Sequence, residues 1–236
     1  MITLATEAAI KTMVRQRTNS IRNGVFLMAL TTIAACATGM HPEPDPASAR
    51  GDAYSARAPN HFLVRMETSQ GPITLSVHRD WAPRGADRFY YLVQNGLLNG
   101  ERFFRVRANF IAQFGLNGDP AVIAAWKTRA IPDDSVRTSN MRGTLAYAMT
   151  GPNTRTTQIY INLANNPQLD AQGFAPFAEI TSGMDAADRL YSGYGESAGG
   201  GVRAAKQGLI EAGGNAYLTR AFPKLDYIVR AVVVRN

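Results

Sequence analysis

The chain has 236 residues, 45% of them hydrophobic, and a single cysteine, Cys36. That suffices for one ordinary domain with appendages and an ample core, and it excludes an internal disulfide framework. The net charge of +7 is dispersed, without a long basic run or basic–aromatic interleaving, which argues against a nucleic-acid partner.

In chain order, the first element predicted is an export signal over residues 1–36. Lys11, Arg15, Arg17 and Arg22 form a basic region, followed by the apolar run Gly24–Ile33 and the small residues Ala34 and Ala35. The run is shorter than the roughly 20 residues that span a bilayer and suits a signal core, with translation starting at Met1 or Met13. Ile33-Ala34-Ala35-Cys36 resembles the bacterial lipobox, in which the cysteine is acylated and becomes the mature N-terminus. The alternative is plain cleavage nearby, for example after Ala37. Lipidation of Cys36 implies a membrane anchor on the periplasmic side, and Ala37 after it favours the outer membrane. Without lipidation the protein would be soluble in the periplasm. Residues 37–60 are small, polar and proline-bearing, so they read as a flexible tether.

The globular domain is expected over 61–236. Phe62, Val64 and Met66, then Ile73, Leu75 and Val77, alternate on either side of Ser69-Gln70-Gly71-Pro72, which predicts a hairpin. Asp80 is a candidate cap for a helix opening at Pro83, with Phe89, Leu92 and Val93 on one face and Asn95-Gly96 ending it. Strands are expected over 103–107, 109–113, 143–149, 158–162, 177–180 and 227–234, and a helix over 184–191. Residues 115–142 read as irregular. Many short strands with two well-placed helices predict an antiparallel barrel or sandwich. Residues 192–223 begin with hinge-like glycines and carry two modest helical faces separated by Gly213-Gly214. They read as a helical decoration, or as an element that docks a partner or restricts substrate.

The richest stretch is FFRVRANFIAQFGLNGD, Phe103–Asp119. Arg105 stands in an apolar run close to Phe110, Ile111 and Gln113. An arginine among apolar side chains needs partners for its planar donors, so the run is either a hairpin with a snorkelling arginine or an apolar pocket with a fixed cationic donor. Two further motifs follow: AYAMTGPNTRTTQIY, Ala146–Tyr160, and LDAQGFAPF, Leu169–Phe177.

The three motifs, in this order and spacing, resemble those of the cyclophilin-type peptidyl-prolyl isomerases, approximately F-H-R-V, F-x-x-Q-G-G-D, S-M-A-N-x-G-P-N-T-N-x-S-Q-F-F and L-D-x-Q-G-F-A-P-F-G. The resemblance implies a mainly β fold: a closed antiparallel eight-stranded barrel capped by two helices, here with an extra helical segment at about 192–223 before the last strand. It also implies a monomer that needs neither cofactor nor metal and acts on proline-containing segments of client proteins. By the same resemblance Arg105 is the catalytic residue, and Phe110, Ile111, Gln113, Ala148, Met149, Gln158, Tyr160, Leu169 and Phe174 bind substrate. Several positions depart from the motifs. Phe104 replaces the histidine, Ile111 a methionine, Met149 an asparagine and Tyr160 a phenylalanine. Gln168 stands where many members have a tryptophan, implying weak cyclosporin sensitivity. Against catalysis stands a non-catalytic peptide-binding scaffold on the same barrel.

Overall fold

The computed structural model describes residues 57–201 and 206–234. The signal, the lipobox with Cys36 and the tether up to residue 56 lie outside the described residues. Residues 57–60 pack on the domain: Ala58 is buried in the core and its N–H donates to Asp87 Oδ1 at 2.9 Å.

The predicted hairpin forms from β1 (His61–Thr68) and β2 (Gly71–His78), joined through Gly71 at φ +122°. β3 (Arg105–Arg107) and β4 (Ile111–Phe114) make a second hairpin, turned by Asn109 in the left-handed region at φ 59°, where asparagine is among the few tolerated side chains. β5 (Thr144–Tyr147), β6 (Ile159–Asn162), β7 (Pro176–Ser182) and β8 (Ile228–Val234) complete one antiparallel sheet, ordered β3-β4-β6-β5-β7-β2-β1-β8.

The sheet curls into a half-barrel and does not close as expected. Between β8 and the start of the second hairpin there is one isolated bridge, Arg102 to Tyr227, flanked by Gly100 N to Ile228 O (2.8 Å), Ile228 N to Glu101 O (2.9 Å) and Phe103 N to Asp226 O (2.9 Å). The ladder stops there because Phe104 N turns back on Arg102 O, 2.9 Å away. β3 therefore leaves on a new path and pairs with β4 alone.

One helix more than expected forms. α1 (Pro83–Gln94) buries Phe89, Leu92 and Val93 as predicted, yet its cap is not Asp80. Asp134, distant in sequence, accepts from Arg84 N (3.1 Å) and Gly85 N (2.9 Å) instead. α2 (Pro120–Lys127) lies within the stretch read as irregular, capped by Asp119, which accepts from Ala121 N at 2.8 Å. α3 (Met184–Asp188) is a short helix, ending before the Tyr191 expected, and α4 (Gly208–Ala221) is kinked at Gly214. The main core fills the concave side of the sheet with Val64, Met66, Leu75, Phe114, Leu145, Ile161 and Phe177, covered by Phe89 and Leu92 of α1.

Candidate active site

The site lies on the convex side of β3, β4, β6 and β5, and register explains why. Arg105 pairs with Gln113, Gln113 with Tyr160, and Tyr160 with Ala146. Directly opposed residues share a face, so these four form one row across four strands. Their neighbours Ala112, Phe114, Ile159, Ile161 and Leu145 point to the main core, while Ile111, Ala146, Ala148, Tyr160 and Leu169 form a separate apolar cluster with Phe110 and Phe174. Both faces are buried here, which hides the alternation in the sequence.

The result is an open pocket of about 200 Å³ lined by Arg105, Phe110, Ile111, Gln113, Ala148, Met149, Tyr160, Leu169 and Phe174, together with Gln172 and Gly201. Of the residues expected to bind substrate, Gln158 alone is absent from this lining. It stands behind the pocket, where its Oε1 accepts from Gln113 Nε2 at 2.8 Å. Cys36 lies outside the described residues.

Arg105 crosses the pocket rim, its side chain 12% exposed. Its Nη1 donates to Gln113 Oε1 at 3.1 Å, and its Cζ lies 5.8 Å from the Phe110 ring centroid. Its Nε and Nη2 donate to Glu196 Oε1 at 3.2 and 2.7 Å. The hydrogen bond from Arg105, together with the nearby Arg107 and Lys206, holds the Glu196 carboxyl below its ordinary range despite some desolvation.

The apolar walls are fixed by Asn140, which the sequence reading missed. Its fully buried side chain donates to Asp170 Oδ1 (2.7 Å) and Phe174 O (2.8 Å), and accepts from Tyr160 OH (2.8 Å) and Asn162 Nδ2 (3.1 Å). One amide thus ties the Tyr160 floor to the Leu169–Phe174 wall. Leu169 sits in the short 3-10 helix Pro167–Gln172, closed by Gly173 at φ 83°. Asp170 anchors that turn. Burial raises its pKa, but hydrogen bonds from Ser139 and Asn140 outweigh this and leave it below the usual value. The Tyr160 hydroxyl is raised well above its ordinary pKa, chiefly by burial and then by Asp170. It stays neutral and acts as a donor. The side chains brought to this pocket comprise a cation, amides and apolar walls, a set suited to binding and electrostatics rather than to nucleophilic attack.

Asp133 and Asp134 have structural work. Asp134 is buried, caps α1 and pairs with Arg155 at 3.1 Å, while Asp133 lies 3.2 Å from Arg155 Nε.

The half-barrel with this pocket on its convex face defines a class that comparison with known proteins identifies. A family model described as cyclophilin type peptidyl-prolyl cis-trans isomerase/CLD matches residues 63–210, and the chain belongs to that family. A peptidyl-prolyl cis-trans isomerase of Acinetobacter baylyi is 37% identical over 145 residues, covering 58% of this chain and 75% of the relative. Peptidyl-prolyl cis-trans isomerase B of Escherichia coli is 28% identical over 181 residues, 73% of this chain and 99% of the relative. Among solved structures, a cyclophilin-type isomerase of Cryptosporidium parvum superposes with a TM-score of 0.54 at 20% identity, covering 75% of this chain and 99% of its own. A cyclophilin of Hirschia baltica gives 0.54 at 16%, covering 75% of each. At such identities the two structures attest the shared fold.

Proposed function

We propose that this protein catalyses cis–trans rotation of X-Pro peptide bonds, with Arg105 as the electrostatic catalyst. The observation that carries the reading is a guanidinium at the rim of an apolar pocket, held by Gln113 and backed by Phe110. Rotation about a peptide bond is opposed by roughly 18–20 kcal/mol because nitrogen shares its lone pair with the carbonyl. In the twisted transition state that pair localises on nitrogen. A planar donor aimed there favours the twisted amide over both planar isomers, which is differential transition-state binding. One preorganised donor in a partly dry site contributes on the order of 3–4 kcal/mol, about two to three decades of rate. Phe110, Ile111, Tyr160 and Leu169 hold the prolyl ring while the preceding carbonyl turns. Two of the residues that differ from the family motifs, Ile111 and Tyr160, remain apolar or internally hydrogen-bonded on the pocket side and fit this role.

Its clients are exported proteins of the cell envelope, reached from a lipid anchor on Cys36. The signal-like segment 1–36 supports this reading. Arg105→Ala should lower turnover at least about 100-fold in a protease-coupled assay on a proline peptide, with peptide binding retained. Turnover equal to wild type would sink the assignment of Arg105. For the anchor, labelled palmitate should enter the wild type but not Cys36→Ala. Incorporation into both would refute acylation at Cys36.

A further inference from the structure

The segment after α3 does more than decorate the fold, because it reaches Arg105 from two sides. On one side, Glu196 Oε1 accepts from Arg105 Nε (3.2 Å) and Nη2 (2.7 Å) and lies 3.4 Å from Arg107 Nη1. On the other, Gln207 exchanges two hydrogen bonds with Gln158: Gln158 Nε2 donates to Gln207 Oε1 at 2.7 Å, and Gln207 Nε2 donates to Gln158 Oε1 at 3.1 Å. Gln158 Oε1 also accepts from Gln113 Nε2 at 2.8 Å, and Gln113 Oε1 accepts from Arg105 Nη1 at 3.1 Å. Between these anchors the backbone passes over the guanidinium: a Cβ built on Gly201 would lie 3.3 Å from Arg105 Nη1.

Amide polarity makes this chain directional. Arg105 can only donate, so Gln113 must turn its oxygen to Nη1 and its nitrogen away. That nitrogen needs an acceptor, which Gln158 supplies, and Gln207 locks Gln158 in that orientation by bonding both ends of its amide. Glu196 meanwhile takes the Nε–Nη2 edge with a charge-assisted pair, the stronger kind of hydrogen bond. The Nη1 edge is left for Gln113 and the pocket.

Resting on the reading of Arg105 as catalyst, we propose that Glu196 and Gln207 are positioning residues for it, so that these two residues form part of the active site. They fix the plane of the guanidinium from its two edges. Their removal slows rotation of the bound prolyl bond while leaving peptide binding nearly intact, because neither residue is among those that line the prolyl pocket.

The test uses the full chain and separates turnover from binding by exchange NMR on a short X-Pro peptide. Glu196 is 40% exposed at the side chain, so its substitution is compatible with folding, which circular dichroism would verify. Expected are a kcat about tenfold lower in Glu196→Ala, partial recovery in Glu196→Gln, which keeps an acceptor, and peptide affinity within about twofold throughout. Gln207→Leu should lower kcat in the same way. A double-mutant cycle supplies the readout that a merely structural role would not give: in an Arg105→Ala background, Glu196→Ala should change nothing further. A kcat in Glu196→Ala that is unchanged or raised, a loss confined to affinity, or an equal loss with and without Arg105 would each overturn the proposal. If Arg105→Ala itself keeps full turnover, the catalytic reading falls and this inference with it. If Arg105→Ala is inactive while Glu196→Ala is unaffected, the inference alone falls.

Discussion

Tyr160 shows how a departure from the family motif is accommodated by a single partner. A phenol on the floor of an apolar pocket would leave a buried hydroxyl unsatisfied, but Asn140 Oδ1 receives it at 2.8 Å. Tyr160→Phe should therefore cost about 1 kcal/mol in urea unfolding, since Asn140 Oδ1 keeps Asn162 Nδ2 as a donor, and isomerase turnover should stay within about twofold. Glu101 is the less comfortable residue. It is buried, its Oε2 has no hydrogen-bond partner among the described residues, and burial pushes its pKa up to about 8 against the Gly115 backbone N–H, which pulls the other way. The folded protein then holds a proton on Glu101 that the unfolded chain, at about 4.5, has released. Stability contributed by the neutral form is fully present below pH 4.5 and is lost as pH rises through about 8. Glu101→Gln should flatten this limb, matching wild type near pH 4 and exceeding it near pH 8 by an amount on the order of 4 kcal/mol. Denaturant midpoints across that range measure it, and parallel pH profiles for the two proteins would refute it.

At the scale of elements, α4 depends on one glycine. Gly214 has φ 50° and ψ −143°, and an added Cβ would lie 2.1 Å from Gly118 O. That kink lets Asn215 N donate to the same carbonyl at 2.9 Å and Asn215 Nδ2 donate to Gly100 O at 2.9 Å, docking the helix beside α2. Gly214→Ala combines backbone strain with a clash and should destabilise by at least about 2 kcal/mol. Amide exchange should rise over 208–221 before it rises in the sheet. The division of this segment at Gly213-Gly214 was legible in sequence, as were the first hairpin and α1, because each buries one face and leaves a period in its apolar residues. α2 was not, although Asp119-Pro120 followed by Val122, Ile123 and Trp126 was a readable start signal inside an otherwise irregular stretch. The pocket walls were legible through their motifs. Asn140, Glu196 and Gln207 were not, because their roles rest on partners 20, 91 and 49 residues away, and no local pattern records such a contact. Closure of the barrel was overestimated for a related reason, since the turn at Arg102–Phe104 that ends the ladder leaves no mark on the apolar alternation.

Across the whole molecule, two apolar clusters meet at the start of β3, and Phe104 explains why they do. Phe103 enters the main core, where it packs edge-on against Phe114 with ring centroids 5.3 Å apart. Its neighbour Phe104 points the other way, into a second cluster with Leu116, Ile123, Ala198, Ile210, Leu218 and Leu225. Half of these partners, Ala198, Ile210 and Leu218, come from the 192–223 segment, whose Tyr194, Tyr217 and Phe222 pack against the same cluster, and Gly199 lies so close that a Cβ there would stand 2.8 Å from the ring. The family motif carries a histidine at this position, so the phenylalanine and the segment are read together: the ring is the floor on which the segment packs. The cost of Phe104→His should then depend on whether the segment is present. In the full chain the imidazole would be buried among apolar side chains without a partner, destabilising the fold by about 3 kcal/mol. With residues 192–223 replaced by a short loop, the ring loses its cover and becomes part of an exposed apolar patch. There the same substitution should be close to neutral for stability and should reduce binding of a hydrophobic dye. A double-mutant cycle of unfolding free energies measures the coupling, expected at about 2–3 kcal/mol for groups in direct contact. Equal costs in the two backgrounds would mean that the phenylalanine serves the sheet alone and that the segment rests on it without depending on it.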